Sequence, residues 1–214
     1  MYLSQLTLNP RSRQVRSELA RPYEMHRTLM KAFPQHLQPI QAIPLADDAN
    51  AERVLFRLDV NPEQGWARVL VQSHLQPNWA ALNPDYALSI EGPKPFTPTF
   101  AANQHLAFRL RANPTVKRNG KRWGLQHENE QLEWLNRKAR EGGFSVLQVN
   151  ITKDQMLSDT IHRTDSQKHD LSFLSVQFDG ALMVLDPYQF HKTLAAGIGT
   201  AKGIGFGLLS LARL

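Results

Sequence analysis

Apolar residues alternate with polar ones in several short stretches and recur at helical spacing in a few longer ones. Tyr2, Leu3, Leu6 and Leu8 sit among polar residues and predict a first strand that stops at Asn9-Pro10. Pro22 suits the first turn of a helix, where its missing N–H costs nothing, and that helix is expected to run through His26 and Phe33 to Pro34. Residues 53–60 and 67–75 alternate again and predict two strands, and 78–82 predicts a short helical turn. Three prolines and a glycine in residues 91–99 mark a linker. Beyond it, residues 105–112 read as a strand and 113–122 as a basic turn region. Leu132, Leu135 and Ala139 recur at helical spacing within 128–141, a helix ended by Gly142-Gly143. Residues 144–151 read as a strand, 171–178 and 181–185 as strands joined across Asp179-Gly180, 188–196 as a helix and 208–211 as a last strand. Residues 152–170 carry no apolar period.

Each half therefore runs roughly strand–helix–strand–strand–(helix)–strand. That order predicts an α+β protein of two tandem ferredoxin-like (RRM-like) domains, 1–92 and 103–214, joined by a linker over 93–102. At 214 residues the chain has room for two such units without covalent staples.

Charge adds a partner class. A net charge of +6 favours polyanions, because lysine and arginine displace the counterions condensed on phosphates. Six cations, Arg109, Arg111, Lys117, Arg118, Lys121 and Arg122, fall within fourteen positions that hold no acid. Arg109 and Arg111, two apart on a strand, share one sheet face. The stripe suits phosphate tracking, and a solvated basic face would look the same. The absence of cysteine excludes thiolate zinc sites, disulfides and cysteine nucleophiles. No apolar run approaches membrane-helix length and no signal-peptide core is present, so a soluble, cytoplasmic protein without membrane contact is expected.

Residues 197–207 hold five glycines in eleven positions: Gly197, Gly199, Gly203, Gly205 and Gly207, with Lys202 among them. Such spacing lets backbone approach a ligand and turn its N–H groups to phosphate. It equally serves a tightly packed turn with several positive-φ positions. Lys202 precedes a glycine, which does not fit Walker A, and too little chain follows for a dinucleotide fold.

On the helix after Pro22, Met25, Leu29, Ala32 and Phe33 share the core face, and His26 borders it. Tyr23 stands one turn before His26, Arg27 lies beyond that face and Lys31 further round. A histidine at a core margin can hold a tuned pKa and still reach a ligand. This suits RNA cleavage by internal transesterification, in which a 2′-hydroxyl attacks the adjacent phosphorus while cations steady the phosphorane. A helix-surface histidine, one of eight in the chain, is the plainer alternative. Within 152–170, a hairpin that enters a groove and an ordinary loop are both open. Asp159 with His162 and His169 with Asp170 form no full metal set, and neither metal nor other cofactor is expected.

The segments MYLSQLTLNPRSR, PYEMHRTLMKAFP, VLVQS with PNW, LAFRLRANPTVKRNGKR, EWLNRKAREGGF and GIGTAKGIGFGLLSLARL, in order along the whole chain, resemble the CasE-type (type I-E) CRISPR endoribonucleases of the RAMP superfamily. The resemblance implies one metal-independent cut at the 3′ base of each repeat stem–loop, leaving a 2′,3′-cyclic phosphate. It implies retention of the crRNA and assembly with other Cascade subunits. It puts catalysis on His26 and Tyr23. Lys31, further along the same helix, is expected to steady phosphate charge together with the glycine loop. RNA contacts would fall on the glycine loop and on a basic hairpin carrying Arg163 and Lys168, with Arg27 a further candidate.

Overall fold

The computed structural model describes residues 1–34, 53–162 and 168–214, the side chains of 153–162 and 168–172 excepted. The chain forms two compact units. One comprises Met1–Thr97, Ser158–Leu171 and Gly203–Gly205; the other comprises Pro98–Leu157, Ser172–Lys202 and Phe206–Leu214.

In the first unit, strand β1 (Tyr2–Leu8) leads to helices α1 (Arg13–Leu19) and α2 (Pro22–Met30). Strands β2 (Val54–Asn61) and β3 (Trp66–Ser73), a 3-10 turn at Trp79–Ala81 and β4 (Ala87–Pro95) complete it. The sheet order is β2-β3-β1-β4 with every neighbour antiparallel, which is the ferredoxin-like arrangement. Alternate β1 residues Leu6 and Leu8 meet Met25, Leu29, Phe33, Phe56, Val69 and Val71 in one core. The helix α1 offers little apolar period because only Val15 and Glu18 are buried, so its sequence signal is weak; its start is capped by Ser12.

Glu18 is the polar centre of this unit. It is buried, and one carboxylate oxygen accepts from Thr28 Oγ1 at 2.7 Å and Gln14 Nε2 at 2.8 Å, while the other accepts from the Tyr86 hydroxyl at 2.7 Å. Burial and the neighbouring carboxylate push the Tyr86 phenol pKa up. The network ties α1, α2 and the start of β4 together two residues beyond His26 on α2.

The prolines of 91–99 fall partly inside β4. This strand lies at the sheet edge, where a residue without an N–H breaks no ladder.

In the second unit, β5 (His105–Ala112) is followed by a two-stranded hairpin of β6 (Thr115–Arg118) and β7 (Lys121–Gly124). Helix α3 (Glu128–Glu141), strands β8 (Phe144–His162) and β9 (Lys168–Val184), helix α4 (Pro187–Ala196), a 3-10 turn at Lys202–Ile204 and β10 (Leu209–Arg213) follow; of these, Ser158–Leu171 and Gly203–Gly205 count with the first unit. The order β10-β5-β9-β8 repeats the ferredoxin-like topology. Leu106, Phe108, Leu110 and Ala112 face the core, with Trp134 stacked on Phe178 and Phe144 edge-on to Phe190. Asp186 caps α4 by accepting from the Tyr188 and Gln189 N–H groups.

The hairpin expected at Asp179-Gly180 is not there: β9 runs straight through, pairing Asp179 with Arg109 and Gly180 with Phe108. A two-residue primed turn needs positive φ, and Gly180 does not have it. Its bare Cα instead admits close approach of the Gln148 carbonyl. The Asn-Gly turn of this unit lies at Asn119-Gly120, both at positive φ, between β6 and β7.

Candidate active site

His26 lies in the middle of α2 and is 8 % exposed. Its ring stacks on Phe56 of β2, with centroids 6.1 Å apart and planes 12° from parallel. Nδ1 is buried and has no hydrogen-bond partner among the described residues. Desolvation lowers the His26 pKa from 6.5 to about 4, so the imidazole is uncharged at neutral pH. The other edge of the ring looks onto Gly203, where an added Cβ would stand 3.6 Å from Nε2 and 3.8 Å from Cδ2. Two residues on, Gly205 packs against Phe56, with φ at 89°, and an added Cβ there would stand 3.0 Å from the ring. Gly203–Gly205 belongs to the same unit as α2. The fold thus joins His26 and part of the glycine loop through Phe56.

The remaining loop is internally braced. The Ile198 N–H donates to the Gly207 carbonyl and the Gly207 N–H to the Arg111 carbonyl, both at 2.8 Å, and the Gly197 N–H caps α4 on Thr193. Those donors are engaged within the protein. Ile198, Ala201, Ile204 and Phe206 are buried, so tight packing accounts for much of the loop. Gly199 sits against Trp134, where a Cβ would come within 3.0 Å.

Tyr23 is half-buried one turn before His26. Arg27 is exposed and paired with Glu24 at 3.2 Å, and Lys31 is exposed at the end of α2. Arg109 pairs with Asp179 at 2.6 Å, and Arg111 donates to Ser175 Oγ at 2.8 Å. Lys117, Arg118, Lys121 and Arg122 are exposed on the β6–β7 hairpin and make no ion pair among the described residues. Arg163 lies outside the described residues, and Lys168 opens β9 with its side chain outside them. The side chains of Asp159, His162, His169 and Asp170 also lie outside them. Among the described residues no group of three or more His, Cys, Asp or Glu could hold a metal, and no helix is long and apolar enough to cross a membrane.

Phe56 and the individual place of Gly203 escape a reading of the sequence. Phe56 carries only the apolar signal of a core strand residue, and Gly203 is one of five similar glycines.

The family model described as CRISPR associated protein matches residues 1–213. The CRISPR-associated endoribonuclease Cse3 of Thermus thermophilus is 40% identical over 225 residues, covering 99% of this chain and 100% of that protein. The CRISPR system Cascade subunit CasE of Escherichia coli K12 is 27% identical over 205 residues, covering 90% of this chain and 92% of that protein. A solved structure of CRISPR endoribonuclease Cse3 bound to 19 nt RNA superposes with a TM-score of 0.86 at 39% identity, covering 100% of both chains.

Proposed function

The chain belongs to the CRISPR-associated protein family and, within it, to the CasE-type endoribonucleases, and from that premise we propose that it cuts CRISPR precursor RNA at the 3′ base of the repeat stem–loop without a metal ion. The observation that carries the chemistry is His26, a buried uncharged imidazole whose Nε2 edge faces the bare backbone of Gly203. An uncharged imidazole is a proton acceptor at neutral pH.

In this mechanism the RNA 2′-hydroxyl gives its proton to His26 Nε2. O2′ bonds to the adjacent phosphorus and the P–O5′ bond breaks. The departing 5′-oxygen takes a proton from solvent, leaving 2′,3′-cyclic phosphate and 5′-hydroxyl ends. The nucleophile belongs to the RNA, so no metal-activated water is required. Tyr23 orients the reacting groups, and Lys31 with the loop backbone around Gly203 offsets charge on the phosphorane. The hairpin cations, Arg27, Arg109, Arg111, Arg163, Lys168 and Lys202 serve as RNA contacts away from the cut. The relative named as a Cascade subunit supports retention of the cut crRNA within that assembly.

Incubating the pure chain with repeat RNA in EDTA and identifying the product ends tests this. Cleavage to a cyclic-phosphate end is expected, and His26→Ala should lose roughly 10²–10⁴-fold in rate while keeping stem–loop affinity. Undiminished cleavage by His26→Ala would remove the assignment, and full cutting of RNA with a 2′-deoxy nucleotide just 5′ of the cut would exclude transesterification. Binding without any cyclic-phosphate product would instead identify a non-catalytic RNA-binding subunit.

A further inference from the structure

The β6–β7 hairpin carries a large side chain that the fold does not use. Trp123 is 57% exposed on a four-residue strand. Cross-strand partners in an antiparallel pair share a face. The register Val116↔Trp123 and Arg118↔Lys121 therefore puts Trp123, Val116, Arg118 and Lys121 on one face of the hairpin. Lys117 and Arg122 occupy the other.

The first of these faces borders a cleft of about 490 Å³. Val116 and Arg118 form one wall, and α3 forms the other through Glu130, Glu133, Trp134, Arg137 and Arg140. Glu130, Glu133, Arg137 and Arg140 follow one another along a single helix face, so that wall is acidic at its N-terminal end and basic at its C-terminal end. Arg137 is partly engaged by Glu141 at 3.7 Å, whereas Arg118 and Arg140 make no ion pair among the described residues.

Resting on the RNA-processing function above, we propose that this cleft holds an unpaired nucleotide of the RNA that flanks the stem–loop, with its base stacked on Trp123 and its phosphate on Arg118 and Arg140. Three features favour an unpaired nucleotide over duplex. A free indole face is useful only to a base that has left its own stack. Two guanidinium groups without acidic partners suit a phosphate oxygen pair. The carboxylates at the opposite end accept from an exocyclic amino group, which adenine, cytosine and guanine carry and uracil lacks.

The test compares two RNAs in binding to the full chain by fluorescence anisotropy, both with a 2′-deoxy nucleotide at the cut. One is the repeat stem–loop with a short single-stranded flank of adenine and cytosine; the other is trimmed to its paired bases and loop. The wild-type chain should prefer the flanked RNA. Trp123→Ala should remove about tenfold of that preference, and Trp123→Phe should keep most of it. Because Trp123 is exposed, an unchanged melting temperature is expected and checks that the fold is intact. Equal affinity of the wild-type chain for the two RNAs overturns this site alone, as does a Trp123→Ala loss that is the same on both. Unchanged RNA affinities with weakened co-assembly with other Cascade subunits would assign the face to protein docking and overturn it as well. Failure to bind either RNA would bring down the RNA-processing function together with the site.

Discussion

His26 is kept uncharged by what surrounds it: a ring of Phe56, the core below α2 and a buried Nδ1 without a partner. Its lowered pKa has two measurable consequences. The unfolded chain takes up a proton at this position below pH 6.5, and the folded chain only near pH 4. The stability contribution is therefore fully present above about pH 6.5 and is lost as pH falls toward about 4, up to roughly 3 kcal/mol. The rate follows a related rule. A histidine base that stays unprotonated down to about 4 in the free protein gives a kcat/KM level between about pH 5.5 and 8. Single-turnover rates at sub-saturating protein, which report kcat/KM, should be flat over that range, and a steady fall in rate with rising pH would make His26 an acid instead. The sequence marks this residue by its place at the margin of the α2 core face. It cannot mark the charge state, because the burial that desolvates the ring includes groups from distant segments, Phe56 of β2 among them.

At the level of elements, the strands and helices with clean periods are legible from sequence. Leu132, Leu135 and Ala139 locate α3, and alternation over 105–112 locates β5. Asp179-Gly180 misleads, because the same dipeptide that makes a tight turn also allows β8 to approach β9 closely. Of the prolines in 91–99, Pro93 and Pro95 lie within β4 and Pro98 opens the second unit; edge position makes the two in β4 tolerable, and edge position is a property of the sheet. The glycine loop is visible as composition, while its tertiary contacts separate the glycines by role. Gly203 has a φ open to other residues, and the nearest atoms to a methyl there are those of the His26 ring edge, at ordinary contact distance. Gly203→Ala is expected to leave the melting temperature within a few degrees and to lower the single-turnover cleavage rate by about tenfold or more, since misplacement near a reacting group is costly. A wild-type rate would show that the space beside Nε2 is not where the scissile phosphate sits.

For the whole molecule, net charge of +6 is a statement about partners, and the fold decides which cations contribute. In sequence, Arg109 and Lys121 belong to one acid-free stretch. In the fold, Asp179 neutralises Arg109 at 2.6 Å, whereas Lys121 has no acidic partner among the described residues. Lys121→Ala should therefore reduce the slope of log affinity against log salt by about 0.7, and Arg109→Ala by distinctly less. Equal slopes for the two variants would mean that RNA displaces Asp179 from Arg109. The chain's own sequence determines the two ferredoxin-like repeats, the basic character, the helix that bears Tyr23 and His26 and the presence of a glycine loop. All of these rest on neighbours two to four residues apart or on summed composition. Only the tertiary structure decides that His26 is uncharged, that Gly203 faces it, that Arg109 is paired and that Val116 and Arg118, on the hairpin face of Trp123, wall a cleft. Desolvation, ion pairing and cleft shape depend on atoms brought together from distant segments, and local periodicity carries no record of them.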